Sequence, residues 1–419
     1  MALSEVADAS TLAAVQQLRQ AATIRERCAH IARAVEAGRS QHFTLDARRL
    51  DAVADRVAAL TRGRFPDGGI PYHSRWRHFE AGGVDRKAEM DALLAGRSAA
   101  EVARARIDLA LVSVLLDAGA GPQWSYAEVL PGGAAGGRYS RSEGLGVASF
   151  RAFLAGAFSS DPAEPLRVDA RALQSIDATR LAAVFQVSDT NPLVGLDGRA
   201  ALLRRLGDAL AAQPEWFGPE GRPGRLFDLL QPAGTVQAAA ILQALLDAFS
   251  GIWPSGQRFG PAQLPVGDAW PHALAGGSGA SAGWVPFHKL SQWLSYSLLE
   301  PFEWAGVPVA GLDALTGLPE YRNGGLLLDA GVILPRDAGF ADRPRRPGEP
   351  WVIEWRALTV VLLDELAPRV RERLGVTAEQ MPLACVLEGG TWQAGRQIAA
   401  ELRPCGGPPV QIDSDGTVF

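Results

Sequence analysis

One stretch of the chain, Val285 to Pro335, concentrates groups able to do chemistry in an otherwise apolar surround. It carries His288, Lys289, Gln292 and Tyr296 on a helical pattern, and crosses a Pro/Gly-rich connection. It then reaches Leu318-Pro319-Glu320-Tyr321-Arg322-Asn323-Gly324-Gly325, followed by Asp329. Such crowding is how a pocket for a polar small molecule looks in sequence. On a helix over 286–299, Lys289, Gln292 or Trp293, Tyr296 and Glu300 form one stripe, and Leu290, Leu294 and Leu298 the packing stripe. Ammonium, amide, phenol and carboxylate on one face suit a sugar phosphate; a solvated face is the competing reading. A lone helical histidine such as His288 is more often a hydrogen-bonded residue than a ligand.

Glu320 could activate water or stabilise developing positive charge if its neighbours tune its pKa. Arg322 suits a phosphate or a carboxylate. Hydrolysis of a glycosidic bond commonly needs two carboxylates, and Asp329 and Glu354 are the candidate partners. Ion pairs among Glu320, Arg322, Glu354 and Arg356 would account for the same residues structurally. Lys289 gains weight because only it and Lys87 are lysines in a chain whose other bases are arginines.

The first half offers weaker candidates. Arg75-Trp76-Arg77-His78 leads to a glycine pair and reads as a ligand site or as a loop of snorkelling side chains. Gly137-Arg138-Tyr139-Ser140-Arg141-Ser142-Glu143-Gly144 precedes a helical pattern over 147–158, and Arg138 and Arg141 there could hold an anion. Asp189 lies in an Asp-Thr-Asn-Pro turn and could meet a sugar hydroxyl, though such a segment is usually only a turn. No metal-ligand spacing, dinucleotide fingerprint or serine-nucleophile motif is present, so neither metal nor cofactor is expected.

These residues need a frame to hold them. Periods near 3.6 dominate from Thr11 to Glu36, Asp46 to Ala59, Ala99 to Asp117, Ala170 to Phe185, Gly198 to Ala212, Gln237 to Phe249 and Trp351 to Leu374. The expected fold is therefore mostly α: a large single helical domain over 1–419 with short β elements and a soft internal boundary near 161–167. Pro368 should kink or split the last long helix. Gly251 to Gly283 reads as an irregular loop able to cover the site, and Asp415-Gly416 as a terminal hairpin turn. The 419 residues, 47% of them apolar, suffice for a sizeable core, and a net charge of -5 gives no case for nucleic acid. Three cysteines without metal spacing fit a reduced, cytoplasmic setting. The start lacks a secretion-signal pattern and no apolar run is long enough for a bilayer, so no membrane partner is expected. Oligomeric state stays open.

Over nearly its whole length the chain resembles the uracil catabolism protein 4 family. The resemblance rests on RWRHFEAGGVDR, GRYSRSEGLG, VSDTNPLVGLDGR, VPFHKLSQWLSYSLLEP, LTGLPEYRNGGLLLDAGV, EWRALTVVLLDEL, LEGGTWQAGR and SDGTVF, in that order. It implies a place in pyrimidine breakdown and action on a ribosylurea-type intermediate, 5′-phosphorylated, to give urea and ribose phosphate. More distantly, Phe287-x-Lys289-x-x-Gln292, Glu320-Tyr321-Arg322 and Glu354-x-Arg356-Ala357 are similar to an ordered motif set of queuosine 5′-phosphate N-glycosidases. That implies a helical DNA-glycosylase-like C-terminal half and an N-ribosidic hydrolase without metal. Here Glu320 stands where those enzymes have aspartate, and Asn-Gly-Gly where they have Val-Pro-Gln. The roles implied are Glu320 as stabiliser or base, with Asp329 or Glu354 beside it. Lys289, Arg322, Arg138 and Arg141 would take phosphate, and Gln292, Tyr296 and Tyr321 would position ribose and leaving group. The alternatives are another hydrolytic or phosphoribosyl-transfer step of the same route, or a ligand-binding scaffold.

Overall fold

The computed structural model describes residues 7–413 apart from Ala118 and Ser255. The protein is mostly α-helical, as the periodicity predicts, with strands only as short pairs. Local chemistry sets many helix starts. Ser98 accepts from the amide of Glu101 at 3.2 Å and opens Ala99–Leu115. Two patterns that read as continuous are split, one of them at an aspartate cap. Asp169 and Asp177 each open a helix, so 170–185 becomes Ala170–Gln174 and Ala178–Val184. The 11–36 pattern likewise breaks at Arg19 and Gln20 into Ala9–Leu18 and Ala21–Glu36.

The helix Lys289–Trp304 lies at the centre, packed against Ala99–Leu115 and Ala238–Phe249. It is buried around almost its whole circumference, so the expected split into a wet stripe and a packing stripe does not hold. It also starts later and ends later than the 286–299 reading, because His288 adopts a left-handed φ of 49° and Pro301 is accommodated inside. Pro350–Leu374 runs unbroken through Pro368 and packs on Ala21–Glu36 and Leu50–Arg64. Tyr321–Asp329, which the glycine pair disguised, is a helix packed on Trp392–Leu402. Its glycines permit close approach: a Cβ at Gly324 would lie 2.8 Å from the Trp355 ring. Most buried apolar side chains form one connected cluster reaching from Ala21 to Val410, and a small second one joins Ala14, Val15 and Leu18 to Phe259, Val266 and Ala269.

The segment 251–283 is not an irregular loop. Gln257–Phe259 pairs with Leu264–Gly267, and Ala269–Pro271 pairs antiparallel with Trp284–Pro286. Asp415 and Gly416 of the expected terminal hairpin fall outside the described residues; just before them, Ile412 forms a parallel bridge with Arg345. Among the described residues no helix is long and apolar enough to cross a membrane.

Candidate active site

Glu320 sits at the N-cap of Tyr321–Asp329, where its two oxygens accept the amides of Arg322 at 2.7 Å and Asn323 at 2.6 Å. Those bonds fix the carboxylate and leave lone pairs on both oxygens. Glu320 is only 6% exposed. Burial pushes its pKa up; the Lys289 ammonium and the two amides pull against that. Burial pushes Lys289 down, opposed by Glu320 and Asp117. Among the described residues no carboxylate lies within ion-pair distance of the Lys289 ammonium, so the two charges sense each other without a closed salt bridge.

A buried ion pair fixes where Lys289 begins its helix. Arg356 grips Asp268 with two bonds, 2.8 and 2.6 Å, and lies 4.2 Å from the Phe287 ring centroid. Asp268 in turn accepts the Lys289 amide at 3.1 Å and the Trp270 indole at 2.7 Å. Burial opposes the charge of Asp268, but Arg356 prevails and holds its carboxyl below the ordinary range. That stabilisation is present above the unfolded pKa of about 3.9 and is lost as pH falls through the lower folded value. Arg356→Ala would leave Asp268 buried and uncompensated, and should cost about 3–5 kcal/mol of stability. A urea-unfolding midpoint close to wild type would remove this pair as the support of Lys289.

Residues from the first half complete the site. Arg75 is fully buried, with Nη1 on Asp117 at 2.9 Å and Nε on Ser113 at 2.6 Å. Its guanidinium lies 5.7 Å from the Trp293 ring centroid, and the His78 ring is equally 5.7 Å from it. Trp293 is one helical turn on from Lys289, on the same face. Around this indole, Arg75 Nη2, His78 Nδ1 and Trp293 Nε1 are all buried with no hydrogen-bond partner among the described residues. Arg322 Nε and Asn323 Oδ1, on the first turn after Glu320, are in the same condition. Each unmet buried group costs about 1–3 kcal/mol, so their gathering points to a polar ligand. Burial drives His78 well below its ordinary pKa, helped by Arg75, so its imidazole is neutral. Tyr321 is half-buried; burial raises its phenol, and its charge environment includes Glu320, Arg322, Asp117 and Arg141.

The structure thus brings together Lys289, Glu320 and Tyr321, with Arg322 on the same first turn and Arg141 near the rim. Arg141 is exposed and opens the helix Arg141–Leu154, which starts earlier than the 147–158 pattern suggested. Arg138 lies on the adjoining strand Ala135–Ser140 and donates to Ser125 Oγ at 2.9 Å. Arg322 also donates to the Gly406 carbonyl at 3.1 Å.

Other candidates are placed elsewhere. Gln292 and Tyr296 are fully buried and bond Thr316, the amide to its hydroxyl and the phenol to its carbonyl, both at 2.8 Å. Glu300 is tied to Ser74 at 2.6 Å and Arg77 at 2.7 Å. His288 bonds the Leu18 carbonyl through Nε2 at 2.8 Å, as a core histidine does. Asp329 ends its helix in a two-bond pair with Arg403, one bond at 2.9 Å and the other at 2.5 Å. Nine residues of helix put it about 13 Å from Glu320, beyond the separations of glycosidase carboxylate pairs. Glu354 accepts from Ser40 and lies 3.5 Å from His272. Asp189 is exposed in its turn. Asp117, which acts on both Lys289 and Tyr321, is the second carboxylate that the sequence reading missed. Nothing but its place at the end of a buried helix marks it.

A cavity of about 760 Å³ opens beside Tyr72, Glu303, Asp364 and Arg371. Its cations are already engaged: Arg25 by Asp364 at 2.7 Å, Arg371 by the Met381 carbonyl at 2.7 Å. It lacks the cluster of unmet donors that marks the Glu320 site.

A family model described as "Protein of unknown function (DUF1688)" matches residues 17–419. The chain is 39% identical over 418 residues to a protein of Lachancea kluyveri named "Uracil catabolism protein 4", covering 91% of this chain and 93% of the relative. It is 41% identical over 410 residues to "Protein urg3" of Schizosaccharomyces pombe, covering 94% and 96%.

Proposed function

The chain belongs to the DUF1688 family, and from that premise, with one relative named for uracil catabolism, we propose that it serves uracil catabolism as an N-ribosidic hydrolase. The substrate is a ribosylurea-type intermediate carrying a 5′-phosphate, and the products are urea and ribose phosphate. One observation carries this reading: a rigidly held, buried carboxylate, Glu320, beside the Lys289 ammonium, within a ring of unmet polar groups.

As the C1′–N bond stretches, positive charge develops on the ribose. A carboxylate already oriented by two amides stabilises that charge without reorganising, and can take a proton from the attacking water. The Lys289 ammonium opposes the burial that raises the pKa of Glu320. Trp293 and Tyr321 offer aromatic walls, and the unmet donor atoms of Arg75 and Trp293 suit the urea carbonyl and ribose hydroxyls. Asp117 holds Arg75 in place. The Arg141 side chain and the first amides of its helix take the phosphate.

Purified protein should release urea and ribose 5-phosphate in equal amounts from ribosylurea 5′-phosphate. Tight binding of that compound with no release would replace catalysis by a binding role.

The pH dependence follows from the two shifts. Activity needs Glu320 ionised and Lys289 protonated. Burial moves the first above its ordinary 4.5 and the second below its ordinary 10.5. The kcat/KM profile should therefore be a bell, its acid limb above 4.5 and its basic limb below 10.5. An acid limb at or below 4.5 would contradict the role of Glu320.

A further inference from the structure

The block Leu387-Glu388-Gly389-Gly390-Thr391 is wound as a π-helical turn between two α-helical segments. Such turns are rare and recur at functional sites. This one is built in by its glycines. A Cβ at Gly390 would stand 2.7 Å from the Val57 carbonyl, so glycine there lets the turn lie against Leu50–Arg64, while one at Gly389 would crowd Thr61 Oγ1 at 3.0 Å. The widened turn presents Glu388 to His73: Oε2 meets the imidazole Nδ1 at 2.9 Å. Oε1 accepts from Arg64 Nη2 at 2.9 Å, which fixes the carboxylate from its other side.

His73 is equally constrained. Its amide donates to the Ala384 carbonyl at 3.0 Å, and its ring lies 6.3 Å from that of Trp392. Nδ1 is occupied, while Nε2 has no hydrogen-bond partner among the described residues. His73 stands two residues before Arg75, and Trp392 beside its ring opens the helix packed on Tyr321–Asp329, which sets the imidazole next to the site; its charge also acts on Glu320 and His78. Burial opposes the charge of Glu388, yet His73 and Arg64 hold its carboxyl below the ordinary range. An ionised carboxylate accepts Nδ1–H and fixes ring orientation, so that in the imidazolium form Nε2–H is the proton to give.

We infer that His73, oriented by Glu388, is the proton donor to the departing urea nitrogen; this rests on the N-ribosidic reading above. The water oxygen bonds C1′ as the C1′–N bond breaks. The electron pair of that bond goes to the urea nitrogen, which takes the proton from His73 Nε2. The proton lost by water goes to Glu320, and exchange with solvent returns both groups to their starting states. The sum is ribosylurea phosphate plus water giving urea plus ribose phosphate. Glu388 is a positioning residue in this step.

The test uses two substrates: ribosylurea 5′-phosphate, and 4-nitrophenyl ribofuranoside 5-phosphate, whose phenolate departs without a proton. His73→Gln should lower kcat on the urea substrate about 10²–10⁴-fold, with KM within about threefold, and should leave nitrophenolate release within about threefold of wild type. Glu388→Gln should show the same selectivity with a smaller loss, and serves if His73→Gln fails to fold. Equal losses on both substrates, or none, would overturn the role of His73 while the hydrolase reading stands. Wild-type protein that cleaves neither substrate would overturn that reading and the proton donor with it.

Discussion

Replacing Glu320 by glutamine is expected to lower kcat/KM for ribosylurea 5′-phosphate about 10²–10⁴-fold while the protein stays folded. The substitution keeps shape and one carbonyl oxygen, so the helix cap toward Arg322 and Asn323 is weakened rather than lost. The sign of the stability change follows from the direction of the pKa shift. Burial raises the folded-state value of Glu320 above its unfolded one, so ionisation opposes folding once pH exceeds the folded value. Glutamine removes that penalty but leaves Lys289 without its nearest counter-charge. The two effects oppose each other, and the thermal midpoint should move by no more than about 4 °C, the shift that about 1–2 kcal/mol gives in a large chain. A charge held at some cost to stability and needed for turnover is a functional trade. Asp329→Asn is the matched control: it breaks the Arg403 pair at the other end of the same helix and should leave kcat within about threefold, since a charge about 13 Å away cannot enter the reaction. Full activity in Glu320→Gln would remove Glu320 from catalysis. Loss of the folded state with loss of activity would reduce it to a cap.

The contrast between Glu320 and Asp329 shows what the sequence could and could not convey. Both are carboxylates in one short stretch, and residue type does not separate them. Helix Tyr321–Asp329 does, by placing one at each end, and Gly324 and Gly325 inside it are poor helix formers that hide it from local propensity. Their role is close packing on Trp355 and Pro409, which only tertiary context reveals. The stripe on the central helix failed for a related reason. Periodicity reports which residues share a face, not whether that face meets water, a ligand or another helix. Gln292 and Tyr296 meet Thr316, whereas Lys289 and Trp293 meet the site. Long helices and the mostly α class were legible because 3.6-residue patterns over many turns outweigh local noise. The strand pairs between Gln257 and Pro286 were not, since strands of three or four residues carry too short a pattern to show alternation. Asp268 was lost with them, and with it the reason Arg356 is buried. Arg75 and His78 were visible as a polar-aromatic run; that they converge on Trp293 was not.

Arg141 offers the other large effect, and it tests whether the two halves of the chain share one substrate. Arg141 holds a left-handed φ of 55° at the first position of Arg141–Leu154, and Ser140 before it makes no side-chain cap bond. A non-glycine residue held there costs about 1 kcal/mol or more, a strain that gathers at functional sites. The side chain is exposed, yet its charge acts on the Tyr321 phenol. A phosphate between them would be met by a guanidinium and by free amides at the helix start. Arg141→Ala should therefore weaken kcat/KM for the 5′-phosphorylated substrate about 10- to 100-fold, the worth of one charge-assisted hydrogen bond, and change that for ribosylurea itself by less than about threefold. Because the group is exposed, the wild-type advantage should shrink as salt shortens the screening length to about 3 Å at 1 M. Lys289→Ala should behave differently, lowering kcat on both compounds, since its charge serves Glu320. Equal losses on the two substrates in Arg141→Ala would move the phosphate elsewhere. A selective loss would tie the first-half arginine, Tyr321 and Glu320 to one ligand, with its phosphate at the rim and its glycosidic bond beside the buried carboxylate.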